Sequence, residues 1–322
     1  MNESVQPSMR SRPREHRDQG VYTNLADLSA LQFKASGFTF LPRQPIHSLL
    51  SGRHASRLRG RGLNFEEIRR YLPGDDIRSM DWRVTARARK PHIRVYTEER
   101  DRPCLLVVDQ RISMFFGSVK NMKSVTATEL AALGAWRVLS QKDRVGAIVF
   151  NDSEIEQIIP HRSRENVERI LGSLVRFNHA LSLSARIQSA AGKLNESLRQ
   201  ADRIAKHDYL VCVITDGFGF DQDSRKLMSR IARHNDLLIG LVYDQMEVDL
   251  PEAGALVFSN GDQQIEINSS SKRMRERYKK LFEDQLADSR KFLIQRAAPV
   301  LPIRTDEGVA EQMQKLVGIA AR

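Results

Sequence analysis

This chain has little cysteine and no long apolar run, and both shortages narrow the class of protein. Its 322 residues include only two cysteines, Cys104 and Cys212, too few for a disulfide framework. No stretch approaches the roughly 18 apolar residues that a membrane-spanning helix needs. The polar residues 1–19 contain no apolar segment typical of a signal peptide. We therefore expect a cytoplasmic protein without a membrane span.

Several catalytic motifs are also absent. The sequence has no Gly-x-x-x-x-Gly-Lys-Ser/Thr loop for phosphates, no Gly-x-Ser-x-Gly elbow and no His-Glu-x-x-His pair. Its eight histidines are dispersed without ligand spacing. These absences exclude a P-loop NTPase, an α/β-hydrolase with a Gly-x-Ser-x-Gly nucleophile elbow and a zinc protease with a His-Glu-x-x-His motif.

Positive charge is concentrated in the first third of the chain. The net charge is +11, and residues 1–103 hold 20 basic against 12 acidic side chains. This surplus indicates an acidic partner, an anionic membrane face, nucleic acid or only a solvated surface. The basic segment Arg53–Arg61 contains no aromatic residue on which a base could stack. An acidic partner or a solvated face is therefore favoured over nucleic acid.

Two apolar runs end abruptly in aspartate. The first is Cys104–Val108, followed by Asp109, and the second is Leu210–Thr215, followed by Asp216. Strand and helix patterns alternate from Cys104 onward, which predicts an α/β domain with a mostly parallel sheet and helices on both faces. Because parallel strands end at one edge, both carboxylates should lie in one ligand crevice.

Three parts follow from these patterns. Residues 1–44 are predicted to be a disordered tail with a short helix capped by Asn24. Residues 45–103 form a basic, strand-rich module with a tight turn at Pro73-Gly74. Residues 104–322 form the α/β domain.

One block carries a family resemblance. Gly62–Arg83 reads GLNFEEIRRYLPGDDIRSMDWR, which resembles the signature of the bacterial domain-of-unknown-function 58 family, with Met80 where isoleucine is usual. The resemblance covers about residues 45–320. It implies a von Willebrand factor A-like, Rossmann-like sheet after a small strand-rich module, and the shorter form of the family without transmembrane helices. It also implies a MoxR-type AAA+ ATPase as partner in assembly or maturation of a client protein. No enzymatic activity follows from the resemblance.

The crevice departs from the metal site of its kindred domains. In von Willebrand factor A-like domains the metal-binding loop reads Asp-x-Ser-x-Ser, whereas here Arg111 stands between Asp109 and Ser113. Asp109, Ser113 and Asp216 would hold Mg²⁺ or Mn²⁺ if the site were intact. We expect instead that the Arg111 guanidinium neutralises both aspartates, with Lys193 as a second cation nearby, and that no cofactor binds.

Two surfaces are candidates for binding a partner. Phe115, Phe116 and Phe218, with Phe220, follow the crevice strands and could anchor a protein or pack on each other. In the signature block, Arg78, Asp81 and Trp82 could form a docking face, or Trp82 could fill a small core. We therefore predict a non-enzymatic, protein-binding adaptor. The alternatives are a Mg²⁺-dependent phosphoester hydrolase at Asp109 and Asp216, and nucleic-acid binding by the basic front segment.

Overall fold

The computed structural model describes residues 20–35, 63–98, 102–182, 190, 192–259, 264–280 and 298–317. The chain divides into two compact units, one made of residues 1–44 and 102–322 and the other of residues 45–101. The strands are β1 (Leu63–Arg70), β2 (His92–Glu98), β3 (Cys104–Asp109), β4 (Val145–Phe150), β5 (Ile155–His161), β6 (Leu210–Thr215), β7 (Asp236–Tyr243), β8 (Ala255–Ser259), β9 (Gln264–Asn268) and β10 (Val300–Arg304). The helices are α1 (Leu25–Ala30), α2 (Trp82–Ala88), α3 (Lys123–Ser140), α4 (Arg164–His179), α5 (Gly192–Ile204), α6 (Gln222–Ile231), α7 (Gln245–Val248), α8 (272–280) and α9 (Val309–Val317).

A six-stranded sheet in the order β10-β7-β6-β3-β4-β5 forms the larger unit. Every neighbouring pair is parallel except β4 with β5. The order reverses at β3, whose two neighbours are β4 and β6, so the topological switch point lies beside β3. The predicted fold class, an α/β domain with a mostly parallel sheet, is confirmed.

Alternating side chains of β3 separate two apolar layers. Leu105 and Val107 pack with α5 and α6 on one face. Leu106 and Val108 pack with α1, α3, α4 and α9 on the other. Because both faces of the central strands are covered, these strands are uniformly apolar, as parallel sheets require.

Residues 20–35 belong to this unit. Asn24 caps α1 as predicted, since its Oδ1 accepts the Asp27 backbone N–H at 2.8 Å. The buried Trp136 of α3 donates its indole N–H to the carbonyl of Leu28 at 3.0 Å. Packing against α3 and α4 thus stabilises a helix too short to persist alone.

The smaller unit is built on the antiparallel pair β1 and β2. Between them lies the predicted turn, closed by the Asp75 backbone N–H on the carbonyl of Leu72 at 3.0 Å, with Gly74 at a φ of +105°. Beyond the turn, the 3₁₀ turn Ile77–Ser79 and α2 are helical, which the strand-rich prediction did not include. The option that Trp82 fills a small core is wrong, because its side chain is 68% exposed.

Several later elements differ in extent from their predictions. The hairpin β8–β9 is present, and its predicted Asn260-Gly261 turn lies outside the described residues. The helix predicted from Lys272 to about Leu293 is described only over α8. The last helix begins at Val309, three residues after the predicted Asp306. No helix in the described ranges is long and apolar enough to cross a bilayer.

Candidate functional site: an ion-paired crevice

The carboxyl ends of β3 and β6 place Asp109 and Asp216 at one edge of the sheet. The two strands are parallel neighbours, with Val108 opposite Ile214. Asp109 is the last residue of β3, and Asp216 directly follows β6. This is the switch-point crevice where open α/β sheets bind ligands.

Asp109 forms a buried ion pair with Arg111. Its Oδ1 accepts the Arg111 backbone N–H at 3.0 Å and Nε at 2.9 Å, and its Oδ2 accepts Nη2 at 2.6 Å. The hydroxyl of Thr215 donates to Oδ2 at 2.7 Å. Both side chains of the pair are 0% exposed, and the guanidinium lies 5.7 Å from the centroid of the Phe150 ring. Four donors therefore occupy the two carboxylate oxygens.

Asp216 pairs with a different cation from the one predicted. Lys123, the first residue of α3, places its Nζ 3.0 Å from Asp216 Oδ2 and 2.6 Å from Glu247 Oε1. Arg111 was expected to neutralise both aspartates, but Lys123 is the cation in contact with Asp216, and Arg111 adds a smaller Coulombic attraction to it. Lys193, the predicted second cation, pairs instead with Glu196 at 2.9 Å.

Burial and ion pairing shift the pKa values of these groups in opposing directions. Burial raises the pKa of Asp109 above its ordinary value, and Arg111 opposes that shift. Burial also acts to raise the pKa of Asp216, but Lys123 and the Phe218 backbone N–H outweigh it and hold that pKa low. Burial acts to lower the pKa of Lys123, but Asp216 and Glu247 raise it overall. Lys123 and Asp216 consequently form a charged pair.

The residues present do not fit a divalent metal. Each Asp109 oxygen accepts two hydrogen bonds, and two side-chain cations stand within 3.0 Å of the crevice carboxylates. A metal ion would have to displace those cations and overcome their repulsion. Ser113 Oγ is buried and has no hydrogen-bond partner among the described residues. No cluster of three metal-ligating His, Cys, Asp or Glu side chains occurs in the described ranges.

The predicted aromatic residues are placed differently from one another. Phe218 is 50% exposed, whereas Phe220 packs against the core. Phe115 stacks at a tilt on Tyr22, with centroids 5.8 Å apart. The centroid of the Phe116 ring lies 5.9 Å from Lys123 Nζ. Of the four phenylalanines, Phe218 therefore presents the most apolar surface at this edge.

The backbone of Phe218 is fastened at both ends to the ion pairs. Its N–H donates to Asp216 Oδ1 at 2.9 Å, and its carbonyl accepts Arg111 Nη2 at 3.0 Å. Gly217 and Gly219, which precede and follow Phe218, have φ values of +79° and +75°. This left-handed conformation favours glycine. The ionic network therefore sets where this aromatic side chain lies.

A second exposed apolar residue follows β3 at the same edge. Val119 is 75% exposed in the loop that leads to α3. The preceding Ser118 donates its backbone N–H and hydroxyl to Asp244 at 2.9 and 2.5 Å. Asp244 also accepts the Thr305 hydroxyl at 2.6 Å, so this loop too is fastened to a buried carboxylate.

The signature-block candidates lie in the smaller unit. Asp81 caps α2 through the backbone N–H groups of Arg83 and Val84, and its Oδ2 accepts Arg94 Nε at 2.7 Å. Arg78 and Trp82 are exposed. Asp81 therefore has a clear local structural role, while Arg78 and Trp82 face solvent.

Fold and site together define a doubly wound α/β domain whose crevice is closed by ion pairs. Residues 67–288 match the family described as protein of unknown function DUF58. That match covers more than half of the chain, so the chain belongs to the DUF58 family. The family predicted from the signature block is confirmed.

The similarity to curated relatives extends beyond the signature block. An uncharacterized protein of Mycobacterium tuberculosis and one of Mycobacterium bovis are each 28% identical over 265 residues, spanning 82% of this chain and 81% of the relative. Among solved structures, BatB from Bacteroides thetaiotaomicron has a TM-score of 0.39 at 15% identity and covers 66% of this chain and 98% of its own. An aerotolerance-related membrane protein from Bacteroides fragilis has a TM-score of 0.40 at 15% identity, covering 67% and 96%. The SpRpn10 VWA domain has a TM-score of 0.37 at 10% identity, covering 69% and 100%.

The site residues that sequence reasoning missed include Lys123 and Glu247. One signal for Lys123 was available, since it opens a helix whose first turns are almost wholly apolar or small and buried. A lysine in such a position needs a carboxylate partner. Glu247 lies in α7, a four-residue helix without a periodic pattern to reveal it.

Proposed function

We propose that this protein is a non-enzymatic adaptor that binds another protein at the carboxyl edge of its sheet. The observation that carries the proposal is the half-exposed Phe218, held between Asp216 and Arg111. A large aromatic side chain on a fixed backbone is a typical anchor at protein interfaces. Val119 adds apolar area at the same edge.

The charges of the crevice support binding more than chemistry. A general base or a metal ligand needs a carboxylate with a free lone pair. Asp109 accepts four hydrogen bonds from Arg111 and Thr215, and Asp216 is held by Lys123 and a backbone N–H. A Mg²⁺-dependent phosphoester hydrolase would have to break both ion pairs first.

A MoxR-type AAA+ ATPase, or a client of that ATPase, is the partner we propose. This choice rests on membership of the DUF58 family and on the association that the signature block implies. The adaptor would present the ATPase or its client to the other without reacting itself.

The test is affinity capture from native cells with the full chain as bait. We expect an AAA+ ATPase to be retained by the natural chain and lost with Phe218→Asp. Ile159→Asp is the matched control, because Ile159 is 74% exposed on β5 towards the opposite end of the sheet. Equal capture by all three baits would contradict a role for this edge. A phosphoesterase screen with and without EDTA tests the alternative, and we expect no EDTA-sensitive turnover.

A further inference from the structure

Helix α2 of the smaller unit presents an apolar and a basic stripe to solvent side by side. Trp82 and Ala86 are one turn apart, and both are exposed. Arg83 and Arg87 form the adjacent stripe and are exposed as well. The half-buried side chain of Val84 lies on the other side of the helix. The outward face is thus an aromatic and small apolar row beside two arginines at i and i+4 spacing.

Three acidic side chains that the structure describes in the smaller unit, Asp75, Asp76 and Asp81, form local contacts. Asp75 accepts hydrogen bonds from the two terminal guanidinium nitrogens of Arg69 at 2.8 and 2.7 Å. Asp81 caps α2 and pairs with Arg94. Asp76 accepts the backbone N–H of the residue two positions on at 3.0 Å. None of these three carboxylates forms an ion pair with Arg83 or Arg87.

The outward cations, by contrast, stay without a carboxylate. Arg83 and Arg87 form no ion pair with any residue that the structure describes, and the same holds for Arg78, Arg89 and Lys90. All five are exposed. Among the residues that the structure describes in the smaller unit, this positive charge has no acidic partner.

Exposed aliphatic side chains accompany the charge. Leu72 is 59% exposed and Ile77 is 60% exposed. Aliphatic groups do not stack on bases, and Trp82 is the one large aromatic residue exposed between residues 68 and 94. Trp and Arg together with aliphatic contacts are typical of protein interfaces. These features favour a protein over a nucleic acid as the occupant.

We infer that the outward face of α2 is a second docking surface, which binds an acidic protein segment containing at least one large apolar side chain. Carboxylates of that segment would pair with Arg83 and Arg87, while its apolar residue would cover Trp82. The inference rests on the proposed adaptor function, but it concerns a surface separate from Phe218. It gives the smaller unit a role of its own in binding.

The test uses the full chain and a display library of short random peptides. Selected peptides should be enriched in Asp and Glu around an aromatic or leucine residue. A synthetic copy of the best peptide, followed by fluorescence anisotropy, should bind about 30-fold more weakly to Trp82→Ala, the loss typical of a central anchor. Arg83→Glu with Arg87→Glu should weaken binding similarly, and a Glu→Lys peptide should recover affinity for that variant. The matched controls are Phe33→Ala and Arg233→Glu, whose residues are exposed in the other unit.

Three results would overturn the inference. Selected peptides could lack acidic residues, or could bind the α2 variants and the natural chain equally well. Alternatively, the binding of poly(U) RNA or of phosphatidylglycerol vesicles could depend on Trp82 and Arg83, while the binding of no peptide does. Failure here is distinguishable from failure of the adaptor proposal, because ATPase capture that depends on Phe218 would retain the adaptor proposal even if no selected peptide depended on Trp82.

Discussion

Replacement of Arg111 by methionine tests the buried ion pair most directly. Methionine retains much of the side-chain length and removes the charge, so Asp109 is left buried without its cation. Removing one partner of a buried pair costs about 3–5 kcal/mol of unfolding free energy. For a unit of this size each kcal/mol lowers the melting temperature by about 2–4 °C, so we expect a fall of about 6–20 °C.

The natural tryptophans provide a specific assay. The chain has two tryptophans, and Trp136 is buried in the larger unit while Trp82 is exposed in the smaller one. In a Trp82→Phe background, denaturant unfolding followed by fluorescence reports the larger unit alone. The free energy of unfolding then measures the unit that holds Arg111.

A double-mutant cycle separates the pair from simple packing. Asp109→Asn leaves the backbone N–H of Arg111 with an acceptor, and the double variant removes both charges. We expect the double variant to lose about 2–3 kcal/mol less than the sum of the single losses, the upper range for contacting residues. Additivity within about 0.5 kcal/mol would refute the reasoning, because independent sites behave in that way.

The cost of Arg111→Met should also depend on pH. An unpaired Asp109 has its folded-state pKa raised by burial, so its ionised form destabilises the folded state at neutral pH. As the pH falls below that raised pKa, Asp109 binds a proton and the difference from the natural chain shrinks. A difference that stays constant as the pH falls from neutral towards the ordinary carboxyl value of 3.8 would contradict this account.

Three further predictions concern the neighbouring charges. Lys123→Met should lower the unfolding free energy of the larger unit by about 3–5 kcal/mol, because it leaves Asp216 and Glu247 unpaired, whereas Lys193→Met at a partly exposed pair should change it by less than about 1 kcal/mol in the same denaturation assay. Because the folded pKa of Asp216 lies below its ordinary value of 3.8, its contribution is present above that pH and is lost as the pH falls through the folded value. Acid titration should therefore show a smaller loss for Asp216→Asn than for the natural chain, and equal losses would contradict it. Titration calorimetry with Mg²⁺ should show no saturable binding, and an isotherm abolished by Asp109→Asn would overturn the ion-paired site.

Much of the fold could be predicted because each element carries its own local signal. The apolar runs of β3 and β6 end at Asp109 and Asp216, so the sheet edge and the crevice follow from the strand pattern alone. Arg111 was also predictable as the partner of Asp109, since the two residues share one loop. These are short-range relations that the linear sequence displays.

The pairing of Lys123 with Asp216 could not be predicted in the same way. The two residues are 93 positions apart and meet only when α3 begins at the carboxyl edge of the sheet. Trp82 was open to two interpretations because tryptophan is common both in protein cores and as an anchor at protein interfaces. The two-stranded unit leaves it exposed, and the N-cap signal of Asp81 before Trp-Arg-Val-Thr-Ala was the available evidence for a helix there.

Fixed cations give this crevice a property that a bound metal ion does not provide. A divalent ion exchanges with solvent, whereas Arg111 and Lys123 are part of the chain and cannot dissociate. The backbone of Phe218 is therefore fastened whether or not a metal ion is available, through its N–H on Asp216 and its carbonyl on Arg111. An anchor ordered before the partner arrives loses less conformational entropy on binding. The charges that remove the crevice from metal chemistry are for this reason the same charges that favour the protein binding that we propose.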